Sequence, residues 1–222
     1  MSEELIVLIP AFNAAATLPE LIKGLRRQNV RKIVVVDDGS KDSTSDVARM
    51  SGATLIQHDV NRGKGAALRS GFEYLKKESD WNFIVTMDAD LQHRPEDLRL
   101  FVEAQRLHNA DVIVGHRRRW GTKMPLSRIA SNTLTSLLVS AKTGVTIKDS
   151  QCGYRLIRRS VVEHVSFKSN GYEAETEFLI RAAKLGYSIS FVPIQTVYND
   201  QRSYMTHWET TKRFVQVLFK EY

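Results

Sequence analysis

Continuous apolar runs and helical periodicities alternate along the first half of the chain. The apolar runs predict strands at residues 4–10, 32–38, 53–58, 82–88 and 111–115. Helical spacing, cap-forming residues and an initiating proline predict helices between them, at residues 17–28, 39–50, 65–77 and 95–107. Because the strand runs are apolar throughout and do not alternate, the pattern predicts an α/β fold: a mostly parallel central sheet with helices on both faces.

The second half of the chain has a less regular pattern. Small residues predict a helix over residues 126–142, and further apolar spacing predicts a helix at 173–185 and a strand at 188–194. The polar stretch 150–156, which contains Gly153, predicts a loop or a short strand that crosses the site. Residues 207–222 predict a basic amphipathic helix, which we interpret as packing on its own domain in preference to lying on a membrane.

No linker or low-complexity tract divides the 222 residues, so the sequence predicts a single domain. No apolar run approaches the roughly 20 residues that span a bilayer. The acidic residues before the first apolar run do not fit a signal peptide. Cys152 is the single cysteine, which excludes an intrachain disulfide and predicts a reducing, cytoplasmic setting.

Polar groups follow three of the predicted strands, at residues 10–13, 37–40 and 88–90. In parallel sheets, ligands bind beyond the carboxyl ends of the strands. If these strands are parallel, the three groups lie along one edge of the sheet. The sequence therefore predicts one shared site despite their wide separation along the chain.

Asp88 and Asp90 carry the sharpest chemical signal of this edge. In extended backbone, residues two apart point the same way, so the two carboxylates would repel unless a cation neutralises them. Carboxylate oxygens suit hard cations such as Mg²⁺ or Mn²⁺, and Gln92 adds a neutral oxygen nearby. Helix capping is the alternative interpretation, but it explains Asp90 alone.

Two other polar stretches allow two readings each. Asp37 and Asp38 either cap the following helix or accept hydrogen bonds from a base or ribose. Residues 61–65 either cradle phosphate at a helix start, with Lys64 as a nucleotide-sugar contact, or form an ordinary turn. The stretch is not a P-loop, since its first glycine is missing and no Ser or Thr follows Lys64.

The formal net charge is +7, and the excess is concentrated in one segment. Residues 116–159 contain ten Lys or Arg residues and one acid, Asp149. Such a segment indicates a local anionic partner, for which phosphate groups, an anionic membrane and nucleic acid all fit; a solvated face is the alternative. Nucleic acid is disfavoured, because only Trp120 and Tyr154 offer stacking platforms there and no recognised binding module is present.

Taken in order, seven motifs resemble the family 2 glycosyltransferases of the GT-A fold, and within them the dolichyl- and polyprenyl-phosphate mannose and glucose synthases. The resemblance covers roughly residues 4–205. It rests on IPAFNA, VVVDDGSKDST, NRGKGAAL, MDADLQHRPEDL, VGHR, DSQCGYRLIRR and ETEFLIRAAKLG. It implies a nucleotide-sugar-binding half at about 1–115, an acceptor half at about 116–205 and a C-terminal helix at 206–222.

The resemblance also implies roles for individual residues. Asp88, Asp90 and Gln92 would hold Mg²⁺ or Mn²⁺ on the donor diphosphate, with Ala89 beside the nucleotide. The resemblance further implies that the base and ribose contact Pro10, Phe12, Val36 and Asp38. It implies that the diphosphate contacts Arg117 and Arg202. The acceptor phosphate would contact Arg128, with Ser131 or Asn132 nearby. Glu175 and Glu177 fall where other members carry an acidic motif, as candidate catalytic bases.

The implied reaction is an inverting transfer of a hexose from a nucleotide-sugar, of the GDP-mannose or UDP-glucose type, to polyprenyl or dolichyl phosphate. Transfer to a glycan or other hydroxyl acceptor is the alternative, and a non-catalytic binding module is a third. Two departures from the family pattern are Ala14, where many members have glutamate, and Tyr204, where lysine commonly follows the serine. Several members carry membrane-spanning helices, so we expect a cytoplasmic protein with a peripheral membrane contact, a membrane-protein partner or a soluble acceptor.

Overall fold

The computed structural model describes residues 5–117, 126–195, 214 and 216–220; the side chains of residues 126–128 lie outside this description. Seven strands of the described residues form one sheet. They are β1 (Leu5–Ala11), β2 (Lys32–Asp37), β3 (Thr54–Gln57), β4 (Phe83–Thr86), β5 (Val112–Arg117), β6 (Arg155–Arg158) and β7 (Ile189–Ile194).

The strand order is β3-β2-β1-β4-β6-β5-β7. Of these strands, β6 alone runs antiparallel to its neighbours, β4 and β5, and the other pairings are parallel. The predicted α/β class with a mostly parallel sheet is therefore confirmed. The sheet takes strands from both halves of the sequence.

Helices connect these strands, and their bounds are close to those predicted except for the second helix, which begins at Thr44 and not at residue 39 because residues 39–43 form the preceding turn. They are α1 (Leu18–Arg27), α2 (Thr44–Met50), α3 (Lys64–Leu75), α4 (Leu98–His108), α5 (Leu126–Thr143), α6 (Arg159–His164) and α7 (Ala174–Lys184). The helix expected from residue 95 begins as a 3₁₀ turn, Pro95–Asp97, before α4. The short helix α6 was not predicted. No helix in these described ranges is long and apolar enough to cross a membrane.

Reversal of β6 brings a further loop to the carboxyl edge of the sheet. Arg155, the first residue of β6, pairs with Thr86, the last residue of β4. Residues 150–154 therefore lie at the same edge as the residues that follow β4. The Thr86 hydroxyl donates a 2.7 Å hydrogen bond to the Gly153 carbonyl and fixes this loop against β4.

The central strand β1 is buried, and α3 packs closely against it at Gly71. Leu8 is fully buried, and a Cβ placed on Gly71 would lie 2.5 Å from Leu8 Cδ1. Glycine inside a helix normally costs about 1 kcal/mol relative to alanine. Its presence here follows from the short distance between helix and strand.

We expect Gly71→Ala to destabilise the protein by about 1–3 kcal/mol, because overpacking at Leu8 outweighs the gain in helix propensity. In the double variant Gly71→Ala with Leu8→Val, the shorter side chain should recover part of the loss. Urea unfolding of both single variants and the double variant measures this coupling. Strictly additive losses, or a stabilised Gly71→Ala protein, would contradict the packing described.

Candidate active site

A buried ammonium joins three separate elements at the carboxyl edge of the sheet. Lys64 is the first residue of α3, and its Nζ lies 2.5 Å from Asp88 Oδ1, just beyond β4, and 2.9 Å from Glu175 Oε1 on α7. Burial alone would lower the pKa of Lys64, but the charges of Asp88 and Glu175 raise it above its usual value. Burial likewise opposes ionisation of Asp88, yet the Lys64 ammonium lowers the pKa of that carboxyl.

Gly153 makes the approach of these carboxylates possible. A Cβ on this residue would lie 2.6 Å from Glu175 Oε1 and 2.8 Å from Asp88 Oδ2. Every other amino acid would therefore push the two carboxylates away from their present positions. The glycine that marked residues 150–156 in the sequence is thus a requirement of the site.

Asp90 lies beside this cluster without a cation of its own in the described structure. Burial and the neighbouring charge of Asp88 raise the pKa of Asp90 from 3.8 to about 6. Its Oδ1 accepts a 3.0 Å hydrogen bond from the backbone N–H of Gln92. The Lys64 ammonium therefore does not neutralise both carboxylates, and the pair favours an additional positive charge at Asp90.

A metal ion at Asp88 and Asp90 would supply the positive charge that Lys64 does not provide to Asp90. Among the residues described, no group of three or more His, Cys, Asp or Glu side chains is arranged to hold an ion. Asp88, Asp90 and Gln92 instead offer two carboxylates and one amide, which is a partial set of oxygen ligands. Mg²⁺ is typically bound through one or two carboxylates together with substrate phosphates, so this donor set fits a metal that arrives with a diphosphate.

Asp38, expected to contact the nucleotide, has a buried carboxylate that orders the loop after β3. It pairs with His58 Nδ1 at 2.7 Å and accepts hydrogen bonds from the N–H groups of Arg62 (2.9 Å) and Gly63 (2.7 Å). The N–H of Gly65 donates to the Asn170 carbonyl at 2.6 Å. These three amides are engaged within the protein, so the structure favours the ordered-turn reading of residues 61–65 over a phosphate cradle.

The loops after β1 and β2 are joined by side-chain hydrogen bonds. The Asn13 N–H donates to Ser40 Oγ at 2.8 Å, and Asn13 Oδ1 accepts from the Lys41 N–H at 2.9 Å. Asp37 accepts hydrogen bonds from the Ser40 N–H, at 3.0 Å, and from the Ser45 hydroxyl. Asp37 thus holds the turn before α2, which agrees with its capping interpretation.

Of the other residues expected around the base, Pro10 and Val36 are register partners on β1 and β2. Pro10 and Phe12 are half-buried at the edge, whereas the side chain of Val36 is fully buried in the core. Ala89, which stands between Asp88 and Asp90 in the sequence, is buried. The nucleotide contacts expected of these residues stay predictions, and contact with the buried Val36 would be through its backbone.

Arg117, at the end of β5, forms a two-point ion pair with Asp149. The Nε–Oδ2 distance is 2.8 Å and the Nη2–Oδ1 distance is 2.9 Å. This pair orients the guanidinium at the edge of the sheet and accounts for the single acid of the basic segment. The other two predicted arginines, Arg202 and the side chain of Arg128, lie outside the described structure.

The predicted acceptor residues Ser131 and Asn132 lie on α5, which packs against α7. Ser131 is exposed and Asn132 is buried. The packing places the acceptor helix next to the helix that carries Glu175. Their predicted contact with an acceptor phosphate stays a prediction.

The two candidate bases have different environments. Glu175 belongs to the Lys64 cluster, whereas the fully buried Glu177 accepts hydrogen bonds from the Ser169 N–H at 2.8 Å and Ser169 hydroxyl at 2.6 Å. It also pairs with Arg181 at 2.8 Å. Burial opposes ionisation of Glu177, but these hydrogen bonds lower its pKa. Glu177 therefore anchors the loop at residues 168–169, and Glu175 is the carboxylate that faces the site.

The sequence does not indicate the role of Arg155, a buried residue that links two backbone segments of the site. Its guanidinium donates hydrogen bonds to the carbonyls of Cys152 (2.7 Å), Glu175 (2.7 Å) and Ser150 (3.0 Å). It therefore connects the loop before β6 to the start of α7. The only available signal was an arginine at the start of a short apolar run, which reads as a surface charge.

The sequence also does not indicate that His93 lies near the charges of Asp88 and Lys64. It is 4% exposed, and its Nδ1 has no hydrogen-bond partner among the described residues. Burial lowers the pKa of His93 to about 4, so the ring is neutral near pH 7. Its ring packs on Tyr154, with centroids 5.3 Å apart.

Comparison with known proteins identifies the family. Residues 6–166 match the family described as Glycosyl transferase family 2. The chain belongs to this family. The resemblance seen in the ordered motifs is thereby confirmed, as is the assignment of the chain as a glycosyltransferase enzyme.

Two of the similar proteins carry the name of an activity. The chain is 30% identical over 225 residues to a UDP-N-acetylglucosamine–dolichyl-phosphate N-acetylglucosaminyltransferase of Methanococcus voltae, covering 90% of this chain and 88% of the relative. It is 33% identical over 205 residues to an undecaprenyl-phosphate mannosyltransferase of Micrococcus luteus, covering 86% and 83%.

A solved structure has the same fold. Glucosyl-3-phosphoglycerate synthase of Mycobacterium tuberculosis superposes with a TM-score of 0.78 at 20% identity, covering 98% of this chain and 79% of that one. That structure contains Mn²⁺, UDP-glucose and phosphoglyceric acid. At this identity the likeness establishes the fold, and the expected GT-A architecture is confirmed.

The raised pKa of Asp90 predicts a stability effect with a definite sign. The folded protein holds this proton more tightly than the unfolded chain does, so ionisation of Asp90 destabilises the fold as pH rises from about 4 to above 6. We expect Asp90→Asn to raise the free energy of unfolding by on the order of 2 kcal/mol at pH 8, and by little at pH 4. Denaturant unfolding in a chelating buffer at both values measures this.

Asp46→Asn serves as the matched control, because the side chain of Asp46 is 72% exposed. Its substitution should change stability little at either pH. A gain for Asp90→Asn that is absent at pH 8, or equal at pH 4 and pH 8, would contradict the electrostatic account of the pair.

Proposed function

We propose that this family 2 enzyme is an inverting, metal-dependent hexosyltransferase that uses a nucleotide-sugar donor and a polyprenyl or dolichyl phosphate acceptor. The observation that carries the proposal is the carboxylate pair Asp88 and Asp90 at the carboxyl edge of the sheet. Lys64 pairs with Asp88 and Glu175, and burial together with the charge of Asp88 raises the pKa of Asp90. A cation-bearing diphosphate would supply the missing charge.

Asp88, Asp90 and Gln92 would hold Mg²⁺ or Mn²⁺ in this proposal. When bound, the metal neutralises negative charge that develops on the departing diphosphate. The Lys64 ammonium, fixed by Asp88 and Glu175, adds a second positive charge next to the same position without further reorganisation. The Mn²⁺ and UDP-glucose found together in the Mycobacterium tuberculosis structure support this assignment.

The bond changes follow from the two substrates. An acceptor phosphate oxygen attacks the anomeric carbon from the face opposite the donor diphosphate and forms the new C–O bond. The bond from that carbon to the diphosphate breaks, and the nucleoside diphosphate leaves with the electron pair. Because a phosphate monoester is largely a dianion near pH 7, no protein base has to remove a proton.

The environment of the candidate bases supports a phosphate acceptor. Glu177 is engaged by Ser169 and Arg181, and Glu175 is paired with the Lys64 ammonium. A carboxylate held by an ammonium is poorly suited to accept a proton from a hydroxyl group. The two named relatives also act on dolichyl or undecaprenyl phosphate by their names. A phosphate acceptor removes the need for a base.

A hydroxyl acceptor is the second candidate, and the position of Glu175 favours it. Glu175 lies in the same cluster as Asp88, where a reacting hydroxyl would have to be activated. Displacement of Lys64 by an incoming metal and donor would release this carboxylate as a base. The choice between the acceptors therefore depends on Glu175.

In this proposal the whole chain acts as one domain, supported by a sheet that joins strands from both halves. We also propose a cytoplasmic location with contact to the cytoplasmic face of a membrane. The lipid-phosphate acceptors named for the two relatives support that location. A membrane-protein partner is not required by any step of the reaction.

The direct test is transfer of labelled sugar from a panel of GDP- and UDP-hexoses to a polyprenyl phosphate, with Mn²⁺ or Mg²⁺. We expect product with at least one donor, and a loss of at least about hundredfold in chelator or in Asp90→Ala, because the leaving diphosphate loses its counter-charge. Asp46→Asn is the control and should turn over normally. Undiminished turnover by Asp90→Ala would overturn the metal-dependent mechanism.

Glu175→Gln distinguishes the two acceptor classes in the same assay. With a lipid phosphate, the variant should retain transfer within about tenfold, since no base is removed. Loss of transfer to the lipid phosphate by a factor of about a thousand, with donor binding intact, would contradict a transfer that needs no base and would favour the mechanism in which Glu175 activates a hydroxyl acceptor.

A further inference from the structure

Helix α5 has its apolar face directed outward. Leu134, Leu137 and Leu138 are 59%, 62% and 46% exposed. Among the described side chains of α5, those of residues 129–143, the buried ones are mostly small and polar: Asn132, Thr135, Ser136 and Val139. This is the reverse of the usual arrangement, in which the apolar stripe of a surface helix packs on the core.

The three leucines form one continuous surface. Successive residues of an α-helix are separated by about 100°, so positions 134, 137 and 138 fall within an arc of about 100°. The exposed residues Ala130 and Ala141 lie on the same side of the helix and lengthen this surface along the helix axis in both directions. We call Leu134, Leu137 and Leu138 the leucine face. Single exposed leucines are common, but a contiguous apolar surface of this kind indicates a contact with an apolar medium or partner.

The charged residues nearest the leucine face along the sequence are basic. Residues 112–148 contain no Asp or Glu, and Asp149, the next acid, is buried in its pair with Arg117. Lys142 lies one turn beyond Leu138, and Lys148 is exposed in the loop that follows α5. An apolar strip bordered by basic residues is complementary to the surface of a bilayer that contains anionic lipid.

The C-terminal segment adds a second apolar group near this end of α5. Lys142 Nζ donates a 2.8 Å hydrogen bond to the Lys220 carbonyl, which brings residues 216–220 next to α5. Within this segment Val217 is buried in the core, whereas Phe219 is 83% exposed. Both elements therefore pack on the domain by one side and leave apolar side chains outside.

We propose that the leucine face of α5 docks on an anionic lipid bilayer. The proposal rests in part on the proposed function, because Ser131 and Asn132, the expected acceptor contacts, are on the same helix immediately before Leu134. Docking by this face would hold the acceptor end of α5 at the membrane, where a polyprenyl phosphate presents its headgroup. It makes α5 the main membrane contact.

The test is co-sedimentation of the full chain with vesicles of phosphatidylcholine containing about a quarter phosphatidylglycerol. We expect the triple variant Leu134→Ser, Leu137→Ser and Leu138→Ser to lower the partition coefficient by at least about tenfold, because each leucine loses apolar burial in the bilayer. The matched control is Leu107→Ser with Leu185→Ser, two leucines that are 79% and 59% exposed elsewhere. The control should bind as the wild type does.

A short-chain, water-soluble isoprenyl phosphate separates this proposal from the proposed function. We expect the triple variant to use this acceptor normally and to lose transfer to long-chain acceptor in vesicles. If the wild type binds vesicles through its leucines but uses no lipid phosphate, the proposed function fails and the docking surface stands.

Three results would overturn the docking proposal. Equal vesicle binding by the wild type and the triple variant would show that the leucine face does not meet the bilayer. Sedimentation equilibrium could show that the wild type is a dimer and the triple variant a monomer, while neither binds vesicles. That result would assign the leucine face to contact with a second copy of the chain. A melting temperature lowered by several degrees with unchanged vesicle binding would show that the protein itself covers these leucines.

Discussion

The site depends on one buried ammonium held between two carboxylates. Lys64 lies between Asp88 and Glu175, and each of the three residues comes from a different element of the fold. A buried ion pair of this kind contributes little net stability, because desolvation offsets most of the attraction, but loss of one member leaves an uncompensated charge. The Lys64 ion pairs fix the positions of Asp88 and Glu175 at the sheet edge. Asp90 has no such cation beside it among the described residues.

The topology of the sheet explains how these groups meet. Because β6 alone of the seven strands is reversed, the loop before it arrives at the edge where β4 ends. Gly153 leaves room for the carboxylates, and Arg155 connects this loop to the start of α7 through backbone carbonyls. Gly153 and Arg155 therefore position the aspartate pair without a proposed role in the reaction.

The parts of this arrangement that follow from local pattern could be predicted from the sequence. Apolar runs gave the parallel strands, and the strand-end rule brought Asp38 and Asp88 to one edge. The ion pair of Lys64 with Glu175 could not be predicted, since it depends on packing between residues 111 positions apart. Neither could the outward leucines of α5, because helical spacing shows that a stripe exists but not which way it faces.

Donor binding measured by titration calorimetry tests the central claim most directly. We expect a UDP- or GDP-hexose to bind the wild type at least about tenfold more tightly with Mn²⁺ than in chelator, since the aspartate pair repels an unneutralised diphosphate. Asp90→Asn should abolish this dependence on Mn²⁺, whereas Asp46→Asn should preserve it. Equal donor affinity with and without metal, or an unchanged metal dependence in Asp90→Asn, would contradict the account.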